Sequence, residues 1–165
     1  EYAAGASQPE VATDIEGDTA AMLANIMNSA GTEKPVGIRD DLQEHMFDKA
    51  GVVRTAESLT EMQGILAELR ERYSNVAVQD KGKVFNSDLM EAVELGYLLD
   101  CAENLVVAAL ARKESRGGHW RDDFPVRDDA NWLKHTLATR KDDGSIELDY
   151  KPVKMGPYVP MERKY

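Results

Sequence analysis

Chemistry in this chain would have to come from few residues. The histidines are His45, His119 and His135, the one cysteine is Cys101, and two of the histidines fall with both tryptophans between Arg112 and His135. That stretch runs Arg-Lys-Glu-Ser-Arg-Gly-Gly-His-Trp-Arg-Asp-Asp-Phe-Pro and continues Val-Arg-Asp-Asp-Ala-Asn-Trp-Leu-Lys-His. An imidazole beside carboxylates can do general acid–base work, with His119 or His135 moving the proton. The chemistry also needs a cleft and a second group of matched pKa. The close carboxylates, Asp122 and Asp123, stand beside Arg121 and near Arg127, which would pair with them instead. Six basic and five acidic residues nearly cancel the charge of the stretch, which suits an internal hydrogen-bonded network better than an anion-binding patch. Aromatic rings and arginines dominate interface energetics. The stretch therefore reads as a docking surface, with Arg116, His119, Trp120, Arg121, Phe124, Arg127, Trp132 and His135 as candidate contacts. Trp120 and Trp132 are the expected anchors, and no residue is assigned a catalytic role.

The remaining reactive groups point the same way. His45 lies on a helical pattern beside Met46, as a packing or surface histidine. Cys101 falls in an apolar helix and reads as an inert core thiol. There is no glycine-rich phosphate loop, no Cys/His set at metal spacing and no nucleophile with a partner triad.

The elements that must position this stretch are helical. The length of 165 residues suits one domain with its own core. Thirty acidic against twenty basic residues leave a net charge of -10, which speaks against nucleic acid as a partner. One cysteine excludes an internal disulfide and makes a reducing, cytoplasmic-side location the default. No run of 18 apolar residues is present to span a membrane.

A short helix is expected from Asp18 or Thr19, with Met22, Leu23, Ile26 and Met27 on one face and Gly31 as its stop. A second runs from Pro35 to about Lys49, with Ile38, Leu42 and Met46 at four-residue spacing. The third carries Leu59, Met62, Leu66, Leu69 and Tyr73 at alternating spacings of three and four, the seam of an antiparallel bundle. Ser58 with Glu61, or Thr55 one turn earlier, would cap it. The longest helix starts at Asn86 or Ser87 and runs to about Lys113. Its apolar positions go most of the way round, which predicts a central element covered on several sides. Thr136 to Arg140 and Ile146 to Tyr150 flank a Lys-Asp-Asp-Gly turn and predict a hairpin. Lys151 to Tyr165, with Pro152, Pro157 and Pro160, is an extended tail.

The expected fold is thus mainly α: a spectrin-like three-helix bundle with a short preceding helix, then a loop, a small hairpin and a tail. Residues 1–18 read as the end of a truncated preceding domain plus a linker, because Glu1-Tyr-Ala-Ala-Gly lacks an initiating Met and Tyr2 to Ala6 looks like a last helical turn. Residues 19–115 are the bundle, and 116–165 the docking segment.

At the loop the sequence resembles a known family. Arg112-Lys-Glu-Ser-Arg-Gly-Gly-His119, Arg121-Asp-Asp-Phe-Pro125 and Arg127-Asp-Asp-Ala-Asn-Trp132-Leu-Lys-His135-Thr resemble the carboxy-terminal domain of the flavoprotein subunit of succinate dehydrogenase and fumarate reductase. Val36-Gly-Ile-Arg39, Gly51-Val-Val-Arg54 and Phe85-Asn86 agree in order and spacing, as does the ending Pro160-Met-Glu-Arg-Lys-Tyr165. Gly118 stands where many members have Ala, and Trp120 where Tyr, Ser or Ala is usual. L-Aspartate oxidase shares the Glu-Ser-Arg-Gly-x-His element, while the Asp-Asp-x-Asn-Trp-x-x-His continuation favours the dehydrogenase.

The resemblance implies a parent subunit that oxidises succinate at FAD and passes electrons through iron–sulfur centres to quinone. The flavin-binding and dicarboxylate-binding motifs of the family belong to its other domains, so no cofactor is expected in this chain. The implied partners are the flavin-binding domain of the same subunit and the iron–sulfur subunit, at the inner face of the cytoplasmic membrane. Self-association of the isolated chain is expected where it would expose surface meant for those partners. The alternatives are the same domain of fumarate reductase or L-aspartate oxidase, or a stand-alone helical interaction protein.

Overall fold

The computed structural model describes residues 16–157 together with Gly5, Ser7 and Met161. The expected last turn at Tyr2 to Ala6, the linker before Glu16 and the end of the tail lie, with those exceptions, outside the described residues. Three helices make the body: α2 (Pro35–Ala50), α3 (Ala56–Ser74) and α4 (Ser87–Ala111), preceded by α1 (Gly17–Asn28). Pro35 occupies the first turn of α2, where its missing N–H costs nothing. Gly31, beyond the end of α1, lies so close to the Asn75 carbonyl that a side chain there would collide with it.

The expected seam is the core. Ile38 and Leu42 of α2, Leu59, Met62, Leu66 and Leu69 of α3, and Leu95, Leu99 and Val106 of α4 are buried, with Met46 and Tyr73 packed against them. The periodicity placed these residues because a helix repeating every 3.6 residues brings such spacings to one face. The cap of α3 is a box made by Thr55 and Ser58, each side chain bonded to the other's backbone N–H at 3.1 Å. Thr55 is thus the capping residue, and Ser58 stands at N3 rather than at the cap.

Two expectations are corrected on α4. Its buried line is Ala92, Leu95, Leu99, Ala102, Val106 and Ala109, whereas Tyr97, Leu98 and Leu105 are exposed. The helix is therefore covered on part of its circumference, because α2 and α3 meet it from one side. Cys101 lies on the uncovered side and is exposed, lining an apolar groove with Leu42, Met46, Leu98 and Leu105. A thiol reagent should modify Cys101 in the native chain at the rate of an exposed thiol. Reaction only after denaturation would contradict this placement.

The hairpin joins β3 (Lys134–Arg140) to β4 (Ile146–Pro152), antiparallel, with Leu137 opposite Asp149. Gly144 takes φ +83° in the turn, a conformation open to glycine at no steric cost. Arg70 of α3 reaches Asp100 at 2.6 Å and Glu103 at 3.0 Å on α4, and Arg140 of β3 binds the same Glu103. The hairpin is thereby fastened to the flank of the bundle. Two further elements had no counterpart in the sequence reading: α5 (Asp129–Trp132), and a parallel pair of β1 (Val53–Arg54) with β2 (Trp120–Arg121).

Candidate functional site

The loop from Arg112 to Asp129 closes the end of the bundle where α2 and α4 finish and α3 begins. Helix ends leave carbonyls unpaired at the C-terminus and amides at the N-terminus, and favour cations at the first and anions at the second. The loop supplies both. Arg121, 1 % exposed, donates through Nη1 to the carbonyls of Ala109 at 2.9 Å, Leu110 at 3.1 Å and Arg112 at 3.3 Å, at the end of α4. Its other nitrogens grip both oxygens of Asp123, at 2.7 and 2.6 Å. Asp123 in turn accepts from the N–H of Ala56, the first residue of α3, at 3.0 Å. At the end of α2, Arg54 Nε donates to the carbonyls of Ala50 and Gly51 at 3.0 and 2.8 Å.

His119 joins two of these ends. Its Nδ1 accepts from Arg54 Nη1 at 3.1 Å, and its Nε2 faces the Arg112 carbonyl at 3.4 Å. An acceptor Nδ1 and a donor Nε2 define a neutral imidazole. Burial pushes its pKa down, and the cationic Arg54, Arg121 and Arg112 add to that, against the bond to the Arg112 carbonyl. Proton transfer to His119 near neutral pH is thus disfavoured, and both ring nitrogens are occupied.

Glu114 is the second centre. The residue is fully buried, yet its carboxylate accepts four bonds: Arg112 Nη1 at 2.5 Å, Arg116 Nε at 2.8 Å, Arg116 Nη2 at 3.0 Å and the Asp128 N–H at 2.9 Å. Burial opposes its ionisation, but Arg116, the Asp128 amide and Arg112 outweigh that and hold its carboxyl below the ordinary value. The chain of pairs continues from Arg116 to Asp129 at 2.6 Å and from Asp129 to Arg127 at 2.8 Å. Arg112 also donates to the carbonyls of Trp132 and Lys134 and to Thr136 Oγ1, so the start of β3 is tied to the end of α4. Ser115, buried, accepts the Arg121 N–H at 2.9 Å and donates to the Phe124 carbonyl at 2.9 Å. Arg116 and His119 exchange backbone bonds across a tight turn in which Gly117 has φ +58°.

The expected internal network is therefore present, with different anchors. Trp120 is 43 % exposed and bonds through Nε1 to the exposed Asp122. Trp132 is half-buried, its ring 5.1 Å from the Arg112 guanidinium, 4.8 Å from Lys134 Nζ and edge-on to Tyr150. The buried anchors are Glu114, Ser115 and Arg121, because a desolvated charge with all its partners is held in one geometry, whereas an indole with one polar edge tolerates the surface. Phe124 lies under the Arg121 guanidinium at 5.1 Å, Arg127 reaches the Met161 carbonyl at 3.2 Å, and His135 is exposed on β3. Arg54, Arg112, Glu114, Ser115, Asp123 and Asp129 were not among the candidates. The adjacent charges had already paired Asp123 with Arg121, as the structure has it, and a cation just past a helix end, such as Arg54 after Gly51, is a second local signal.

The pKa directions fix an acid profile. Burial, with the neighbouring arginines, holds His119 below its ordinary value in the folded chain, so the unfolded state binds more protons and stability falls as the pH drops below about 6.5. Asp123, held at about 2 by its bonds with Arg121, contributes stability that is present above its unfolded value and lost as the pH falls toward about 2. Denaturant melts at about pH 7 and about pH 5 should show the first loss, and His119→Gln should remove it. An unchanged profile in that variant would contradict the assignment.

Fold and site together define a helical bundle whose buried polar cluster binds its own helix ends. The family described as Fumarate reductase flavoprotein C-term matches residues 39–165, and this chain belongs to it. The fumarate reductase flavoprotein subunit of Haemophilus influenzae is 40% identical over 148 residues, which cover 90% of this chain and 25% of the relative. The succinate dehydrogenase flavoprotein subunit of Rickettsia felis is 47% identical over 116 residues, covering 70% and 20%. A solved FrdA chain of E. coli quinol fumarate reductase superposes with TM-score 0.88 at 39% identity, over 97% of this chain and 28% of that one. The chain thus spans about a quarter of the length of the relatives it matches.

Among the described residues no glycine turn joins a strand to a helix, the unit that cradles a flavin pyrophosphate. Such a cradle needs glycines in a turn that opens a helix against the pyrophosphate. The glycines with positive φ are Gly117, in the turn before β2, and Gly144, in the hairpin, and neither opens a helix. Among the described residues no group of three or more His, Cys, Asp or Glu could hold a metal ion, and no helix is long and apolar enough to cross a membrane.

Proposed function

We propose that this chain is the structural and docking domain of a succinate dehydrogenase flavoprotein subunit. The observation that carries the reading is the Glu114–Arg121 cluster: its charged groups spend their hydrogen bonds on helix ends and on one another, so they set a shape and leave no reactive pair. In the parent subunit FAD oxidises succinate to fumarate, and the electrons leave through iron–sulfur centres to quinone. Residues 1–18 would join the bundle of 19–115 to the flavin-binding domain, and 116–165 would dock. The cluster fixes the exposed Trp120 and His135 and the half-buried Phe124, Arg127 and Trp132 of the docking set, while Arg116, His119 and Arg121 hold them from within. The docked surfaces would be the flavin-binding domain and the iron–sulfur subunit, at the inner face of the cytoplasmic membrane.

A second reading, the same domain of a fumarate reductase, is favoured by the close relatives that carry that name. The groups that set the direction of catalysis are not in this domain. Assays of the flavin-containing parent with succinate, fumarate and L-aspartate separate the readings. Succinate oxidation dominates under the proposal, fumarate reduction under the second reading, and turnover of L-aspartate alone would reject both.

A further inference from the structure

Among the described residues, Phe85 is the non-glycine with a positive φ, at +52°, and it is also 99% exposed. A side chain with a Cβ adopts this left-handed backbone rarely and at a cost, and a bulky one is a genuine outlier there. Packing within the chain returns nothing, since the ring touches almost none of it. Strain of this kind persists only where the surroundings over-determine it, and here they do. Asn86 Nδ2 donates to the carbonyls of Asp80 at 2.8 Å and Gly82 at 2.9 Å and lies 3.7 Å from Met27 Sδ. Asn86 Oδ1 caps α4 through the Leu89 N–H at 2.8 Å, and the Ser87 N–H closes on the Phe85 carbonyl at 2.9 Å. The loop is pinned around Phe85, and the ring is held out from it. Val84, 76% exposed, precedes it, and Met90, 56% exposed, stands beside it on the first turns of α4.

We propose that Phe85, with Val84 and Met90, is a preformed anchor that inserts into an apolar pocket on the flavin-binding body of the same subunit. The inference rests on the reading under Proposed function and adds a contact that the docking set at the other end of the bundle does not contain. An aromatic side chain with two torsions on a pinned backbone loses little entropy on docking, which is the character of an interface hot spot. Three side chains are too few for a free-standing complex, which buries about 800 Å² on each partner. They suffice where a tether raises the effective concentration, and a tether is at hand. Under the proposed reading the flavin-binding body connects through the segment before α1. Lys81 of the anchor loop donates to the Met27 carbonyl in the last turn of α1 at 2.5 Å, so only the length of α1, roughly 18 Å, separates anchor and tether.

The test places a label beside the ring, at position 84, which is 76% exposed in the chain. Val84→Cys is made with Cys101→Ser and with Phe85 kept, in the chain alone and in the purified parent subunit after its bound flavin has been measured. Maleimide modification is followed by peptide mass spectrometry. The label should react freely in the chain alone and on the order of ten-fold more slowly in the subunit, because only local opening would expose it. Equal rates in the two overturn the proposal. Protection that appears only with the iron–sulfur subunit present, or only at high concentration of the chain alone, also overturns it, by assigning the pocket to another partner or a second copy. Phe85→Gly supplies the independent readout: relief of the left-handed backbone should leave the melting temperature of the chain alone unchanged or raised, and lower that of the subunit. A fall in both would mean a merely structural role and overturn the anchor. A subunit that contains no flavin fails the reading beneath the proposal, before any label is added.

Discussion

Replacing Arg121 with leucine should destabilise the chain by about 3–5 kcal/mol, a large fraction of the stability of a single domain. Arg121 is buried, so leucine fills much of its space, and the loss is not chiefly one of volume. What disappears is the set of donors to the carbonyls of Ala109, Leu110 and Arg112, which are left without partners at a dry helix end. Asp123 loses the guanidinium that holds it against the first amide of α3. Arg121→Lys should recover little of this, because one ammonium cannot present a planar fork to three carbonyls and a carboxylate at once. Urea unfolding measures the change, and a loss below about 1 kcal/mol would show that the surrounding backbone finds other partners.

Glu114→Ala should cost about as much, about 3–5 kcal/mol, by leaving two guanidiniums facing one another without the carboxylate between them. Glu114→Gln separates shape from charge. It keeps the volume, yet its amide would point donors at Arg112 or Arg116, so it too should be strongly destabilised. Removing Arg116 in the Glu114→Ala background should cost far less than removing it from the native chain, since the pair acts as a unit. Additive losses in that cycle would contradict the buried network.

Both side chains were in view in the sequence, and only one was singled out. Arg121 was a candidate as an interface contact, and Glu114 read as one more charge in a charged run. Nothing local marks a glutamate as buried. Its four donors come from residues 2 to 14 positions away, and only the turn at Gly117 and the short α5 bring them round it. Arg54 meets His119 across 65 positions, through a parallel pair of two-residue strands too short to leave a period. The helices were legible for the opposite reason: Leu59, Met62, Leu66 and Leu69 declare their face within one element. The same reasoning overreached at Cys101 and Leu105. An apolar pattern running round a helix says that burial would be favourable, and the described fold covers only part of α4. The loop family resemblance located the domain, while the way the loop and Arg54 together grip three helix ends had to be seen in three dimensions.

The claim at the centre is that this domain holds shape and leaves the chemistry to the rest of its subunit. The most direct measurement supplies the purified chain with FAD, succinate and an electron-accepting dye, after a cooperative melt has established that it is folded. The account predicts a folded helical protein that retains no flavin and reduces no dye. Succinate-dependent reduction by this chain alone would contradict it.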